Sequence, residues 1–305
     1  MRCLVLCVVS AGLLAFSAVF AQDGAVPITT DPADDKDPEW SPDGTEIAFT
    51  SDRTGKRYVY RIPAGGGSAT RVTYTNDGTG GLDWSPDGTE IVFQGLDFIW
   101  VGAFVIPAAG GPVDTLFRPE DVVGRPGWSP DASQIVYPIK LSQYISHLWV
   151  LDMATEVPTQ LTTYSATNNG PDWSPDGTQI AYHRNQGPGG IPFDIFVIPA
   201  AGGTPTQITF DPGVELDPAW SPDGSQIAYS SDVTGQKEIW VIPATGGTAT
   251  QITTEGGEDP TWSPDGHSIA FESDREGNYD IWVIDVSGAS ATEGSTWGRI
   301  KGMFR

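Results

Sequence analysis

Three histidines, His147, His183 and His267, are the only imidazoles the chain offers as a general base near neutral pH, and none has a recognisable catalytic neighbour in sequence. There is no Gly-x-Ser-x-Gly elbow and no His-Glu-x-x-His zinc motif. Both cysteines, Cys3 and Cys7, lie within an apolar leader, so no thiol nucleophile, disulfide or cysteine metal site is expected beyond it. The segment Asp274-Arg275-Glu276-Gly277-Asn278-Tyr279-Asp280 spaces its carboxylates in a way that could suit calcium. However, Ser51-Asp52-Arg53-Thr54-Gly55 and Ser231-Asp232-Val233-Thr234-Gly235 hold the same register without the later acids, and a repeated hairpin turn explains all three. Ser-Pro-Asp-Gly-Thr is superficially similar to the Asp-box of sialidases, but here the tryptophan precedes the turn. Gly65–Gly67, Gly110–Gly111 and Gly202–Gly203 recur in register and read as turns, not as phosphate loops. His267 follows a turn and reads as an exposed loop residue; His147 and His183 read as surface or partner-contact residues between strands. No catalytic residue, metal site or cofactor is therefore assigned.

What remains depends on the elements that position it, and those come from a repeat. Trp-Ser-Pro-Asp occurs at Trp40, Trp84, Trp128, Trp173, Trp220 and Trp262, a period of about 45 residues with strand-like segments and turn signals between. That pattern predicts an all-β, six-bladed β-propeller, each blade made of four strands, A to D. Strand A ends at the tryptophan. Pro presets φ, Asp bonds to local backbone and Gly accepts φ > 0 in the turn that follows. Ala132 alone replaces the turn glycine, which predicts either a different turn or tolerated strain. Strand B carries Ile47/Phe49, Ile91/Phe93, Ile135/Tyr137, Ile180/Tyr182, Ile227/Tyr229 and Ile269/Phe271 on one face. Ala48, Val92, Val136, Ala181, Ala228 and Ala270 occupy the other, so both faces are apolar, as in a blade sandwiched between two neighbours. Strand C includes Ile281–Ile284 in the last unit, and strand D reads Gln-Ile-Thr at Gln207–Thr209 and Gln251–Thr253.

The unit Pro-x-Trp-Ser-Pro-Asp-Gly, Ile-Ala-(Phe/Tyr), Ser-Asp-x-x-Gly, Ile-Trp-Val-Ile, Gln-Ile-Thr resembles the TolB-type propeller repeat over about residues 25 to 286. The resemblance implies a periplasmic protein-binding platform, with accessory peptidase domains and a few lyases among related propellers. Residues 22–36 are too few to hold the α/β domain that precedes the propeller in TolB-type proteins, so that domain is expected to be absent. The sixth unit lacks a good strand D, whereas Ala25-Val26-Pro27-Ile28-Thr29-Thr30 matches the end of one, which predicts that the N-terminal strand completes the last blade and closes the ring.

Arg2, the apolar run Leu4 to Phe20 and Val19-Phe20-Ala21 predict a signal peptide over residues 1–21 and a periplasmic or secreted mature chain without a membrane span. The propeller is assigned to residues 22–286 and a basic tail, with Trp297, Ile300 and Phe304 at helical spacing, to 287–305. With 39 acidic against 16 basic residues, formal charge −23, the chain repels phosphate backbones and anionic lipid, so nucleic acid is excluded as a partner. A monomer is expected.

Unit-to-unit differences point to the face where the B–C and D–A connections open, here called the top. Units one, five and six carry Ser-Asp-x-x-Gly between strands B and C; units two to four carry apolar residues, including Leu96, Phe98, Trp100, Tyr144 and Phe193. Acids precede strand A in units five (Glu215, Asp217), six (Glu258, Asp259) and one (Asp34, Asp35, Asp37), and Arg125 precedes it in unit three. An acidic arc facing an aromatic arc is the expected binding site, for a protein, peptide or glycan partner. Phe98, Trp100 and Tyr144 are exposed if the loops serve a partner and buried if the loops are longer hairpins whose side chains pack against each other. An interaction scaffold and a propeller-type lyase or hydrolase using channel-mouth carboxylates both fit; convergent carboxylates with a His, Arg or metal in the channel would favour the enzyme.

Overall fold

Ser41, Asp43 and Gly44 show how the repeated string makes its turn. The Ser41 hydroxyl donates to Asp43 Oδ1 (2.7 Å) and accepts the Glu46 N–H (3.0 Å), Asp43 Oδ1 also accepts the Thr45 N–H (3.0 Å), and Gly44 takes φ 71°. Equivalent bonds surround Asp87, Asp131, Asp176, Asp223 and Asp265, and they hold all six carboxyls below the usual range, Asp131 and Asp265 at about 2. The turn aspartates are thus structural acceptors.

The computed structural model describes residues 23–74, 77–97, 100–117, 124–185, 190 and 192–288, apart from the side chains at 77–79, 97, 100 and 117. The predicted signal peptide, Phe98 and the tail from 289 lie outside the described residues. Six antiparallel four-stranded sheets form a ring. Blade 1 is β2 (Asp35–Trp40), β3 (Glu46–Ser51), β4 (Tyr58–Pro63) and β5 (Thr70–Arg71). Blade 2 is β6 (Asp77–Trp84), β7 (Glu90–Asp97), β8 (Trp100–Pro107) and β9 (Asp114–Phe117), and blade 3 is β10 (Gly127–Trp128), β11 (Gln134–Ser142), β12 (Ile145–Asp152) and β13 (Pro158–Gln160). Blade 4 is β14 (Asn168–Trp173), β15 (Gln179–Asn185), β16 (Phe193–Pro199) and β17 (Thr206–Gln207), and blade 5 is β18 (Glu215–Trp220), β19 (Gln226–Ser231), β20 (Glu238–Pro243) and β21 (Thr250–Gln251). Blade 6 is β22 (Glu258–Trp262), β23 (Ser268–Ser273) and β24 (Asp280–Asp285), completed by β1 (Val26–Pro27).

Closure is as the sequence predicts: Val26 pairs with Val283 and Pro27 with Trp282, and the Ile28 N–H donates to the Ile281 carbonyl (2.7 Å). Thr29 Oγ1 accepts the Ile281 N–H (2.9 Å), the same clip that Thr73, Thr162, Thr209 and Thr253 make in blades 1, 3, 4 and 5. The strand-A tryptophans fill the seams. Trp84 packs on Ala48 and Val59 of blade 1, and Trp220 on Ala181 and Val197 of blade 4. The small residue on one face of strand B is therefore the space the next blade's indole fills. First strands of successive blades touch one another, so they line the axis, and whatever leads into them faces the channel.

Candidate site at the channel mouth

The third residue before each tryptophan carries the site. Asp37, Gly81, Gly170, Asp217 and Asp259 have φ between 48° and 59°, at bulges where pairing with strand B breaks and resumes. A proline follows four of them, at Pro38, Pro171, Pro218 and Pro260, and proline removes a ladder donor, which places the bulge there. Asp tolerates the left-handed region better than most residues, and a bulge re-aims its side chain, here toward the axis.

Arg125 is the sixth member and departs from the pattern. Its strand, β10, keeps two residues, and Gly124 takes φ 137° in its place. A Cβ at Gly81 would stand 2.4 Å from Arg125 Cα, so glycine at 81 is what lets this segment close on the axis. The guanidinium pairs with Glu39 and lies 3.5 Å from Asp259 Oδ1, and Glu39 Oε1 accepts the Thr261 hydroxyl (2.8 Å). Asp83 and Asp172 tie neighbouring blades together, accepting the N–H of Trp128 and of Trp220, each at 2.6 Å. Burial raises the pKa of Glu39, Asp83 and Asp259, and that of Asp172 to about 7, with Arg125 opposing each rise. For Arg125, burial opposes the charge, but Glu39, Asp259, Asp172 and Asp83 outweigh it and the guanidinium stays protonated.

Two further side chains reach the bulges from strand B of the preceding blade. Glu272 Oε2 accepts the Asp37 N–H (2.9 Å), and its other oxygen lies 3.5 Å from Lys36 Nζ; burial first, then Asp37, pushes its pKa to about 7. His183 Nδ1 accepts the Asp217 N–H (3.2 Å), so its proton resides on Nε2, and burial lowers its pKa despite Asp217. The mouth of the channel holds a cavity of about 220 Å³ lined by Asp37, Gln94, Arg125, Asn169, Asp217, Glu258, Asp259 and Glu272, with Glu39, Asp83, Asp172 and His183 outside its lining. Among the described residues, no group of three or more His, Cys, Asp or Glu is arranged to hold a metal ion, and no helix is long and apolar enough to cross a membrane.

Of the residues predicted from sequence, Asp37, Asp217, Asp259 and Arg125 come together around this cavity. The expected acidic arc is corrected in one respect: Asp35 and Glu215 are fully buried, Asp35 against Arg53 (2.8 Å) and Glu215 against Thr209 and Ser231. The bulge breaks the two-residue parity, so Asp37 turns to the channel while Asp35 stays in the packing. Of the two readings of the apolar loops, the backbone has the longer hairpins in two blades. In blades 2 and 3 strands B and C run on as longer hairpins, with Leu96 opposite Val101 and half-buried, and Trp100, known here by its backbone alone, opposite Asp97. Tyr144 is 50% exposed at the tip of the blade 3 hairpin, and Phe193 is half-buried, its ring edge-on to His183 at 5.5 Å. His147 and His183 are strand residues, both buried, not loop residues, and His147 Nδ1 meets the Thr162 carbonyl. Glu39, Asp83, Asp172, Glu272 and His183 were not read as site residues. Comparing the six units one residue before the tryptophan would have found the first three. Tyr74, Tyr164 and Phe210, exposed just past strand D, were also missed.

The family model of the TolB beta propeller domain matches residues 15–97 and 105–259. Among solved structures, a protein assigned as TolB from Agrobacterium tumefaciens is similar with TM-score 0.71 at 22% identity, over 86% of this chain and 96% of that one. TolB from Acinetobacter baumannii gives 0.69 at 20%, over 77% of this chain and 59% of its own length. Oligogalacturonate lyase from Vibrio parahaemolyticus gives 0.61 at 15%, over 86% and 93%. Identities this low speak to fold alone. No curated protein matches the chain.

Proposed function

Because the chain belongs to the TolB beta propeller domain family, we propose that it is an exported binding scaffold, periplasmic or secreted, that receives a protein partner through a basic peptide segment at the channel mouth. The observation that carries this reading is the wall of the cavity. Arg125, the cation in that wall, is already paired with Glu39 and Asp259, and the lining carboxylates Glu272 and Glu258 are paired from outside it by Lys36 and Lys237. Among the described residues, no lysine or arginine pairs with Asp37 or Asp217. An entering ammonium or guanidinium would meet two carboxylates that no lysine or arginine contacts, and could make a charge-assisted hydrogen bond to each. The same field disfavours phosphates and acidic glycans. Tyr144, Tyr164 and Phe210, exposed in connections that open on the same face, offer apolar contact to the rest of a partner.

The test is anisotropy with labelled peptides that differ only in Lys or Arg against neutral isosteres. Basic peptides should bind, more weakly at high salt, and the Asp37→Asn, Asp217→Asn double variant should lose about tenfold or more in affinity while its melting temperature holds. Equal binding of neutral peptides, or no effect of the double variant, would overturn the proposal. A second reading, a lyase or hydrolase using the channel-mouth carboxylates, draws on Arg125 among the acids of the cavity and on His183, buried beside it and bonded to the Asp217 N–H. Turnover of an oligosaccharide or ester panel, abolished by His183→Ala, would favour it over the scaffold.

A further inference from the structure

The chain has a single Asn-Gly pair, Asn169-Gly170, and the fold sets it in the wall of the channel-mouth cavity. The pair opens the bulge of β14: pairing with β15 is regular up to Asn169 opposite His183, and resumes with Asp172 opposite Ala181. Gly170 has φ 57°, and its N–H is not held by the ladder. It donates instead to Oδ1 of Asn169, the preceding side chain, at 2.9 Å. That bond folds the carboxamide back over its own peptide link and brings the Gly170 nitrogen beside Asn169 Cγ. Residue 170 carries no side chain to crowd that approach, and none would fit, since a Cβ there would meet His183 Nδ1 at 2.8 Å. Because Asn169 faces the cavity, water has access and ammonia has an exit.

We propose that Asn169-Gly170 is a self-modification site at which the chain converts a neutral amide of the channel mouth into a carboxylate. The Gly170 backbone nitrogen gives up its proton to solvent and attacks Asn169 Cγ. As the new C–N bond forms, the Cγ–Nδ2 bond breaks and Nδ2 leaves as ammonia, closing a five-membered imide. Water then adds to either imide carbonyl and the ring C–N bond at that carbon opens, giving aspartate or isoaspartate at position 169. One water is consumed and one ammonia released, with no oxidant or reductant. The product adds one negative charge to the cavity wall. It also acts on the neighbouring segment, because a Cβ at Gly124 would stand 2.2 Å from Asn169 Oδ1, so the chain that carries Arg125 rests directly on this side chain.

The experiment is peptide mapping by mass spectrometry of the folded protein held at 37 °C at pH 7.4 and at pH 9, in ordinary and in ¹⁸O water. The peptide containing residue 169 should gain about one dalton in ordinary water and about three in ¹⁸O water, as expected for exchange of an amide nitrogen for a water oxygen. The gain should be faster at pH 9, label with an isoaspartyl methyltransferase, and disappear in Asn169→Gln. If that variant fails to fold, the wild-type chain decides alone. Modification at 169 in the folded protein supports the proposal. An unchanged mass at 169 in the folded protein, with modification only after unfolding in urea, overturns it.

Discussion

Ala132 takes φ 59° in the third turn, where its five counterparts are glycines at 69° to 72°. Of the two outcomes the sequence allowed, the structure has tolerated strain: the turn bond from the Ala132 N–H to the Ser129 carbonyl is kept (2.9 Å). A Cβ in the left-handed region is unfavourable by roughly 1–2 kcal/mol, and the greater freedom of an unfolded glycine offsets part of that. Ala132→Gly should therefore stabilise the protein by up to about 1 kcal/mol, read as a higher midpoint in urea with an unchanged slope. A neutral or lower midpoint would show that the strain is relieved elsewhere. Asp37, Asp217 and Asp259 accept the same region at the channel, where Gly81 and Gly170 carry no side chain.

Among the elements, β1 decides whether the ring stays closed. It is two residues long, yet it is held at both ends. Asp23 Oδ1 accepts from Arg275 (3.1 Å) in a buried pair, and Thr29 Oγ1 accepts the Ile281 N–H while its hydroxyl donates to Asp280 (2.9 Å). Thr29→Val keeps shape and β-propensity but leaves a buried N–H without an acceptor, a loss of about 1–3 kcal/mol. Amides of β24 should then exchange faster than those of any other strand C. The matching Thr253→Val in blade 5 should lower overall stability by a similar amount without that selective exchange, because β21 is joined to β20 by a short turn. If both variants exchange alike, closure by β1 is no weaker than an ordinary hairpin. The longer B–C hairpins of blades 2 and 3 make the opposite point. Their apolar β-formers continue the ladder, because backbone groups leaving a sheet need partners and pairing supplies them.

At the scale of the whole molecule, two sets of carboxyls respond to pH in opposite senses. Burial pushes Asp172, Glu215 and Glu272 to about 7 and Asp280 to about 6, so the folded state binds more protons than the unfolded chain between about pH 4 and 7. Their contribution to stability declines as pH rises through that window. The turn aspartates are depressed, Asp131 and Asp265 to about 2, so their contribution is complete above about pH 4 and is lost as pH falls toward 2. The melting temperature should therefore peak near pH 4 to 5, fall gradually toward neutrality and fall steeply below pH 3. A peak at or above pH 7 would mean that these carboxylates are better solvated or paired than their burial implies.

What the sequence determined by itself is local or periodic: the turns, the two apolar faces of strand B, the six blades and the strand that closes them. Each follows from residues a few positions apart, repeated until chance is excluded, and Ile28 and Thr29 were legible because they match a pattern seen in other units. The membership of the channel mouth was half legible. Asp37, Asp217, Asp259 and Arg125 stood out as departures within an aligned column, but nothing local announces that Glu39 pairs with Arg125, or that Glu272 caps Asp37 across the closed seam of the ring. Those meetings need the radial arrangement that brings every first strand to one axis. They also need the bulges that turn a side chain out of alternation, and bulges depend on where a neighbouring blade leaves room. Burial then decides which carboxyls keep their protons, and burial belongs to the assembled ring.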